Sequence, residues 1–325
     1  MMHSQQTTID GLLMQAFLFP GQGSQFVGMT REAYINNGSV RDIMDRANDV
    51  LGFELTGMMF EGPEEELRQT ENAQLAIFLH SYALFQQLRD PNPAMAAGHS
   101  LGEYTALTTA NALTFDDALR LVRLRGESMR DAGAKTRGTM AAIIGLDDDA
   151  VSALCREVST GDTIVQGANY NAPGQVVISG VPEGVEAVMR LARDRGARMA
   201  KELNVSGAFH SPLMEPARER LADALRMAPI NNAEFPVYAN VSARPVVTAD
   251  AIRQSLLEQL TAPVRWKETI ERMVVDGARE FVEVGPGNVL QGLIRRIDGT
   301  VTTRSLSDLA GVELFNDENS KRTEE

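Results

Sequence analysis

The chain has 325 residues, 43% of them hydrophobic, enough for one large or two smaller buried cores. A formal charge of -13 argues against nucleic acid as a partner, and the single cysteine, Cys155, excludes an intramolecular disulfide. No apolar run is long enough to span a bilayer, and no basic region followed by an apolar block opens the chain, so a cytoplasmic location is expected.

Residues 16–19 read as a buried strand, followed by Pro20-Gly21-Gln22-Gly23-Ser24-Gln25 and then a helix. A glycine-rich strand-to-helix loop can cradle a nucleotide, but Phe26 stands where the third glycine of the dinucleotide fingerprint belongs, and no Gly-Lys-Ser/Thr follows. What remains is a loop whose backbone N–H groups can stabilise an oxyanion. Residues 74–88 form an amphipathic run containing His80. Residues 94–97 are a short apolar run that passes through Gly98-His99-Ser100-Leu101-Gly102 into a helix-like stretch, 103–112. A serine flanked by glycines at such a turn sits on a tight elbow that pushes its hydroxyl into a cleft. Ser100 is the candidate nucleophile; an ordinary turn is the competing reading in a chain with 27 glycines.

Residues 116–130 read as a helix with Asp116 and Asp117 in its first turn, where they suit the dipole. On a 3.6-residue period Ala118, Leu121, Val122 and Met129 share one face and Arg125 falls in the middle of it. A guanidinium there snorkels to water, joins a structural ion pair or meets an anion, because it cannot deprotonate. From Met140 the order is strand 140–144, helix 148–157, strand 163–168, strand 175–179, helix 182–195 and strand 197–205, the βαββαβ signature of a ferredoxin-like unit. The expected fold is therefore α/β: a larger hydrolase-like domain, 14–136 and 206–313, with a smaller ferredoxin-like subdomain, 137–205, inserted in it. The cleft between the two is the expected site. Residues 314–325 are polar and are expected to form a frayed, disordered tail.

A serine hydroxyl needs a base, most often histidine. Of the four histidines, His3 lies in a polar N-terminal stretch, His80 suits a packed or surface position, and His99 is the neighbour of Ser100, which an elbow directs away from it. His210 remains, in the loop Gly207-Ala208-Phe209-His210-Ser211-Pro212; as a base it competes with a capping or turn role. No acid between serine and histidine, Asp162 and Glu202 included, has a distinguishing context, so the site is read as a Ser-His dyad.

The segments Phe19-Pro20-Gly21-Gln22-Gly23-Ser24-Gln25, Gly98-His99-Ser100-Leu101-Gly102-Glu103-Tyr104, Ala208-Phe209-His210-Ser211 and Glu283-Val284-Gly285-Pro286-Gly287, in this order, resemble the malonyl-CoA:acyl carrier protein transacylases and the related polyketide synthase acyltransferases. The resemblance implies that Ser100 is acylated, that His210 is its base, and that the N–H groups of Gln22 and Leu101 form the oxyanion hole. It implies that Arg125 grips the free malonyl carboxylate and that Phe209 belongs to the acyl pocket; Met129, on the face of Arg125, and Asn169 and Asn171, bracketing Tyr170, are further pocket candidates, although core packing and turn formation explain these last four as well. It implies that a backbone carbonyl of the segment Ala262-Pro263-Val264-Arg265-Trp266, at Arg265, orients the histidine. The expected reaction moves malonyl from malonyl-CoA to the phosphopantetheine thiol of acyl carrier protein for fatty acid biosynthesis; a polyketide acyltransferase and a serine thioesterase or hydrolase are the alternatives. It implies no metal or redox cofactor, a monomer, and no membrane partner. Because carrier proteins are acidic, docking needs a local basic patch, for which Arg295 and Arg296, or Arg193, Arg195, Arg198 and Lys201, are candidates.

Overall fold

The computed structural model describes residues 14–324; His3 and the rest of 1–13 lie outside the described residues. In chain order the strands are β1 (Gln15–Phe19), β2 (Met95–Gly98), β3 (Thr139–Ile144), β4 (Val165–Ala172), β5 (Gln175–Gly180), β6 (Met199–Glu202), β7 (Val237–Ala239), β8 (Arg244–Val246), β9 (Glu280–Val284) and β10 (Thr302–Leu306). They form two sheets, one ordered β10-β9-β1-β2-β7-β8 and the other β4-β5-β3-β6.

In the larger sheet every pairing is parallel except that of the edge strand β8 with β7. Parallel sheets are covered on both faces, which explains the unbroken apolar run of β1. Phe17 and Phe19 pack with the helices Gly38–Leu51 and Thr70–Phe85, while Ala16 and Leu18 pack against Trp266, Ile270 and Met273 on the other face. The Thr70–Phe85 helix departs from its sequence reading. Instead of showing one apolar stripe it is buried on nearly all sides, because the helices Gly38–Leu51 and Phe115–Lys135 cover the face turned away from the sheet.

The smaller sheet is antiparallel throughout, with the helices Asp148–Val158 and Pro182–Asp194 packed on one face, and its strand order is that of a ferredoxin-like βαββαβ unit. The α/β architecture expected from the sequence, a larger parallel sheet with a ferredoxin-like insertion, is the one found. β4 is irregular. Its register against β5 shifts between Gly167 and Asn169 and again between Tyr170 and Ala172. An extra residue reverses the alternation of side chains. Val165 and Tyr170, five positions apart, therefore both face the helices, while the intervening parity change sends Gln166 and Asn169 together to the other side.

The frayed tail expected from Leu314 is not what the chain forms. A helix, Leu309–Glu324, packs onto the larger unit. Phe315 is buried, edge-on to Phe17 at 6.4 Å, and the Arg304 guanidinium lies 5.7 Å from its ring centroid. Asn316 receives the Arg89 N–H at 2.9 Å and donates to the Gln87 carbonyl at 3.0 Å. The polar composition of 314–325 misled because Phe315 and Asn316, following the buried Val312, carry the anchoring of the helix. Among the described residues no helix is long and apolar enough to cross a membrane. Phe315→Ala should cost about 3 kcal/mol or more of unfolding free energy, the usual range for a large core truncation. Thermal and denaturant melts read this directly, and an unchanged midpoint would mean that the helix is not anchored.

Candidate active site

The elbow is built from absent side chains. A Cβ on Gly98 would lie 1.8 Å from the Gly102 carbonyl carbon, one on Gly102 would lie 2.0 Å from the Phe19 oxygen, and one on Gly21 would lie 2.5 Å from the His99 oxygen. β1, the first glycine-rich loop and the start of the Gly102–Thr109 helix can thus meet only as glycines, and the turn leaves Ser100 in the left-handed region at φ 51°. Its backbone is then fixed by two side chains. The Ser100 N–H donates to Asn240 Oδ1 at 2.7 Å, and its carbonyl accepts from Gln259 Nε2 at 2.9 Å.

Ser100 Oγ lies 2.8 Å from His210 Nε2. His210 is itself left-handed, at φ 56°, and its Nδ1 lies 2.9 Å from the Gln259 carbonyl oxygen. A carbonyl only accepts, so Nδ1 carries the proton and Nε2 presents a lone pair to the serine hydroxyl. Burial, reinforced by the nearby Arg125 charge, lowers the imidazole to about 3, so it is neutral across the ordinary pH range. The elbow, the His210 loop and the carbonyl of Gln259 together produce a hydroxyl paired with an unprotonated base.

Arg125 neither snorkels nor joins an ion pair. It is buried at 1% exposure, with Nη1 donating to Gln74 Oε1 at 2.5 Å and Nη2 donating both to Ser100 Oγ and to Gln259 Oε1 at 2.9 Å. All three acceptors are neutral, the buried Nε has no partner, and the Tyr104 ring centroid lies 5.6 Å from the guanidinium carbon. Burial lowers its pKa, but a guanidinium stays charged in any accessible range. A buried cation with spare donors beside a nucleophile is a site for an anion.

A cavity of about 730 Å³ opens onto the dyad. Gln22, Met129, Asn169 and Phe209 line it with Ser100 and His210, and Met140 and Leu203 close it from the smaller sheet. Of the sequence-read pocket residues, Asn171 is elsewhere engaged: its Oδ1 lies 2.9 Å from His99 Nε2 and steadies the elbow ring instead of the cavity wall. The N–H groups of Gln22 and Leu101 take no part in the backbone hydrogen bonding among the described residues. The Glu283-Val284-Gly285-Pro286-Gly287 segment stands behind this loop: a Cβ on Gly285 would lie 2.6 Å from Pro20, and the Glu283 carboxylate accepts the Leu290 and Gln291 N–H groups that open the Val289–Ile297 helix.

The orienting carbonyl belongs to Gln259, not to Arg265. The Arg265 oxygen is already used, because it accepts both the N–H and the hydroxyl of Thr269 at 2.9 Å as the first turn of the Trp266–Val275 helix forms. Its side chain pairs with Glu268. Sequence reading also missed Gln74, Asn240, Gln166 and Glu103. Gln166 donates to the His210 carbonyl at 2.8 Å, and Glu103 accepts the Asn240 N–H at 3.0 Å and Gln259 Nε2 at 2.8 Å. Only Glu103 left a sequence signal, as the one charged side chain of the Gly102–Thr109 helix.

A family model described as acyl transferase domain matches residues 16–311. The malonyl CoA-acyl carrier protein transacylase of Bacillus subtilis (strain 168) is 44% identical over 301 residues, covering 92% of this chain and 95% of the relative. The solved malonyl CoA-acyl carrier protein transacylase of Coxiella burnetii superposes with a TM-score of 0.90 at 38% identity, covering 94% of this chain and 97% of that one. A malonyl-transacylase solved with a type II polyketide synthase acyl-carrier protein superposes at 0.88 with 40% identity, over 94% of this chain and 99% of that one.

Arg265→Ala should leave the reactivity of Ser100 within a few-fold of the parent, since neither its side chain nor its carbonyl reaches His210. Gln259→Ala retains the main-chain oxygen but removes the amide between Ser100 and Arg125, and should slow Ser100 by about ten- to a hundredfold. Labelling rates with a serine-directed phosphonate compare the two; the opposite order would restore Arg265 as the orienting residue.

Proposed function

The chain belongs to the acyl transferase family, and from that premise we propose that it transfers malonyl from malonyl-CoA to the phosphopantetheine thiol of acyl carrier protein, through a malonyl ester on Ser100. His210 Nε2 takes the Ser100 proton as the hydroxyl attacks the thioester carbonyl. The tetrahedral oxyanion is held by the N–H groups of Gln22 and Leu101, the carbon–sulfur bond breaks, and the proton passes from His210 to the departing CoA thiolate. In the second half-reaction His210 takes the proton of the carrier thiol as its sulfur attacks the ester carbonyl, and returns that proton to Ser100 Oγ as the carbon–oxygen bond breaks. The observation that carries this reading is that one oxygen, Ser100 Oγ, meets both the lone pair of a neutral histidine and a buried guanidinium.

Arg125 gives the donor its identity. Its Nη2 touches Ser100 Oγ, so the free carboxylate of a malonyl group carried on that oxygen is within reach of a cation whose other partners are all neutral. A planar fork binds a carboxylate through two N–H donors, and acetyl has no group to match it. Every group that the two half-reactions need comes from this chain or arrives on donor or carrier, so we take the enzyme to act without metal or redox cofactor; a cytoplasmic location and a monomeric state are further parts of the proposal. Fatty acid synthesis is the pathway named by this reading; the similarity to a transacylase solved with a polyketide synthase carrier favours a polyketide carrier as the second reading, and competition between the two carriers separates them.

Intact-protein mass after mixing with malonyl-CoA should rise by one malonyl group and return to its starting value on addition of carrier protein. Ser100→Ala should take up none, and His210→Ala should slow both steps about 10²- to 10⁴-fold; normal acylation of the alanine variant would put the nucleophile elsewhere. Arg125→Ala leaves a bound carboxylate without its partner and should lower malonyl transfer by about 30- to several-thousand-fold, corresponding to about 2 to 5 kcal/mol, while acetyl transfer is preserved or raised. Equal losses for the two donors in a folded variant would leave malonyl selectivity without a basis in Arg125.

A further inference from the structure

Glu103 is a buried carboxylate that the proposed reaction does not use. It is 1% exposed, and one of its oxygens, Oε2, accepts two hydrogen bonds, from Gln259 Nε2 at 2.8 Å and from the Asn240 N–H at 3.0 Å. These two partners are the residues on which the site hangs. Asn240 receives the Ser100 N–H on Oδ1 and returns Nδ2 to the Gly98 carbonyl at 2.7 Å, closing a ring around the elbow. Gln259 donates Nε2 to the Ser100 carbonyl, accepts Arg125 Nη2 on Oε1, and accepts His210 Nδ1–H on its main-chain oxygen.

An amide side chain has two ends of similar size and opposite polarity, so its orientation is set by its neighbours. If the Gln259 amide reverses, its NH₂ group confronts the guanidinium and its oxygen confronts the Ser100 carbonyl. A carboxylate at Nε2 forbids the reversal. We infer that Glu103 is a positioning residue: by accepting from Gln259 and Asn240 it sets the direction of the Gln259 amide, and through it holds Arg125 and the Ser100 backbone in their reactive arrangement. The inference rests on the malonyl-transfer reading of the same site.

The role is tied to proton occupancy, because an ionised oxygen accepts two N–H donors more strongly than a protonated one. Burial raises the Glu103 carboxyl to about 7, against the pull of its two hydrogen bonds and of the Arg125 charge. The other ionisable groups around it are shifted away from that range. Arg125 stays charged, Tyr104 is raised further by burial, and burial lowers His99 and takes His210 to about 3. β1 and β2 carry no ionisable side chain, Tyr238 of β7 bonds Asp276 on the opposite face, and His80 of the Thr70–Phe85 helix bonds Thr30 and the Ser307 carbonyl. A carboxyl with a raised pKa remains protonated until neutrality, so its acceptor strength grows as pH rises through about 7.

Ser100 acylation by malonyl-CoA and by acetyl-CoA, followed by intact mass from about pH 6 to 9 for the parent and for Glu103→Gln, tests this. The parent rate with malonyl-CoA should climb with pH around neutrality. Glu103→Gln, folded by thermal melt, should be flat over the same range, slower than the parent plateau by about ten- to a hundredfold, and more impaired with malonyl than with acetyl donor. A structural role alone lowers both donors equally and leaves the pH profile in place. Parent-like rates and profile in Glu103→Gln overturn the inference, and so does a flat parent profile, which decides the matter even if the variant does not fold. A parent protein that takes up no malonyl mass overturns the transfer reading itself, and the inference with it.

Discussion

A buried guanidinium cannot discard its charge, and that one constraint shapes the surroundings of Ser100. Arg125 enters from the middle of the Phe115–Lys135 helix, and its hydrogen-bond partners all come from other elements. The amides of Gln74 and Gln259, the Ser100 hydroxyl and the Tyr104 ring surround it. The same charge helps to keep His210 neutral, so the element that suits the site to an anion also keeps its base unprotonated.

The second organising element is Gln259. It ends the Ala249–Gln259 helix, and its side chain and carbonyl reach three residues that lie far apart in sequence: Ser100, Arg125 and His210. None of the three bonds uses a feature that hydrophobic pattern or charge would mark. The glycines at 21, 98 and 102 are needed for a complementary reason, since the backbone of β1 and the start of the Gly102–Thr109 helix approach too closely for any Cβ. Close backbone contact and amide cross-links together fix the backbone that carries the Ser100 hydroxyl.

What could be read from the sequence was local. Ser100 lies within a strand-to-helix turn whose glycines are its signature, Arg125 interrupts an apolar stripe, and the alternation of elements from Met140 names the ferredoxin-like unit; each signal fits inside a short window. His210 was found by elimination among few candidates. The orienting carbonyl was misassigned to Arg265 because a main-chain oxygen leaves no mark on residue type, and which oxygen is free depends on where the next helix begins: Thr269 claims that of Arg265 and leaves that of Gln259. Asn171 was grouped with Asn169 from its spacing, yet it serves the His99 ring. The C-terminal helix escaped because two anchoring residues, Phe315 and Asn316, do not alter the average polarity of the segment.

β4 shows a further way in which a site can be written into a chain. In a regular strand Gln166 and Asn169 would point to opposite faces, since an odd number of steps separates them. The register shift between Gly167 and Asn169 brings both to the dyad side, so that one strand supports the His210 carbonyl, lines the cavity and, through Asn171, steadies the elbow ring. The arrangement is stored in the length of the strand as much as in its residue types. Paired with β5 without that shift, the same residues would alternate regularly and one end of the strand's polar set would swing out of the site. A residue inserted between Gln166 and Asn169, with the existing shift kept, would reverse the parity again and separate the two, a change that no exchange of side chains along β4 produces.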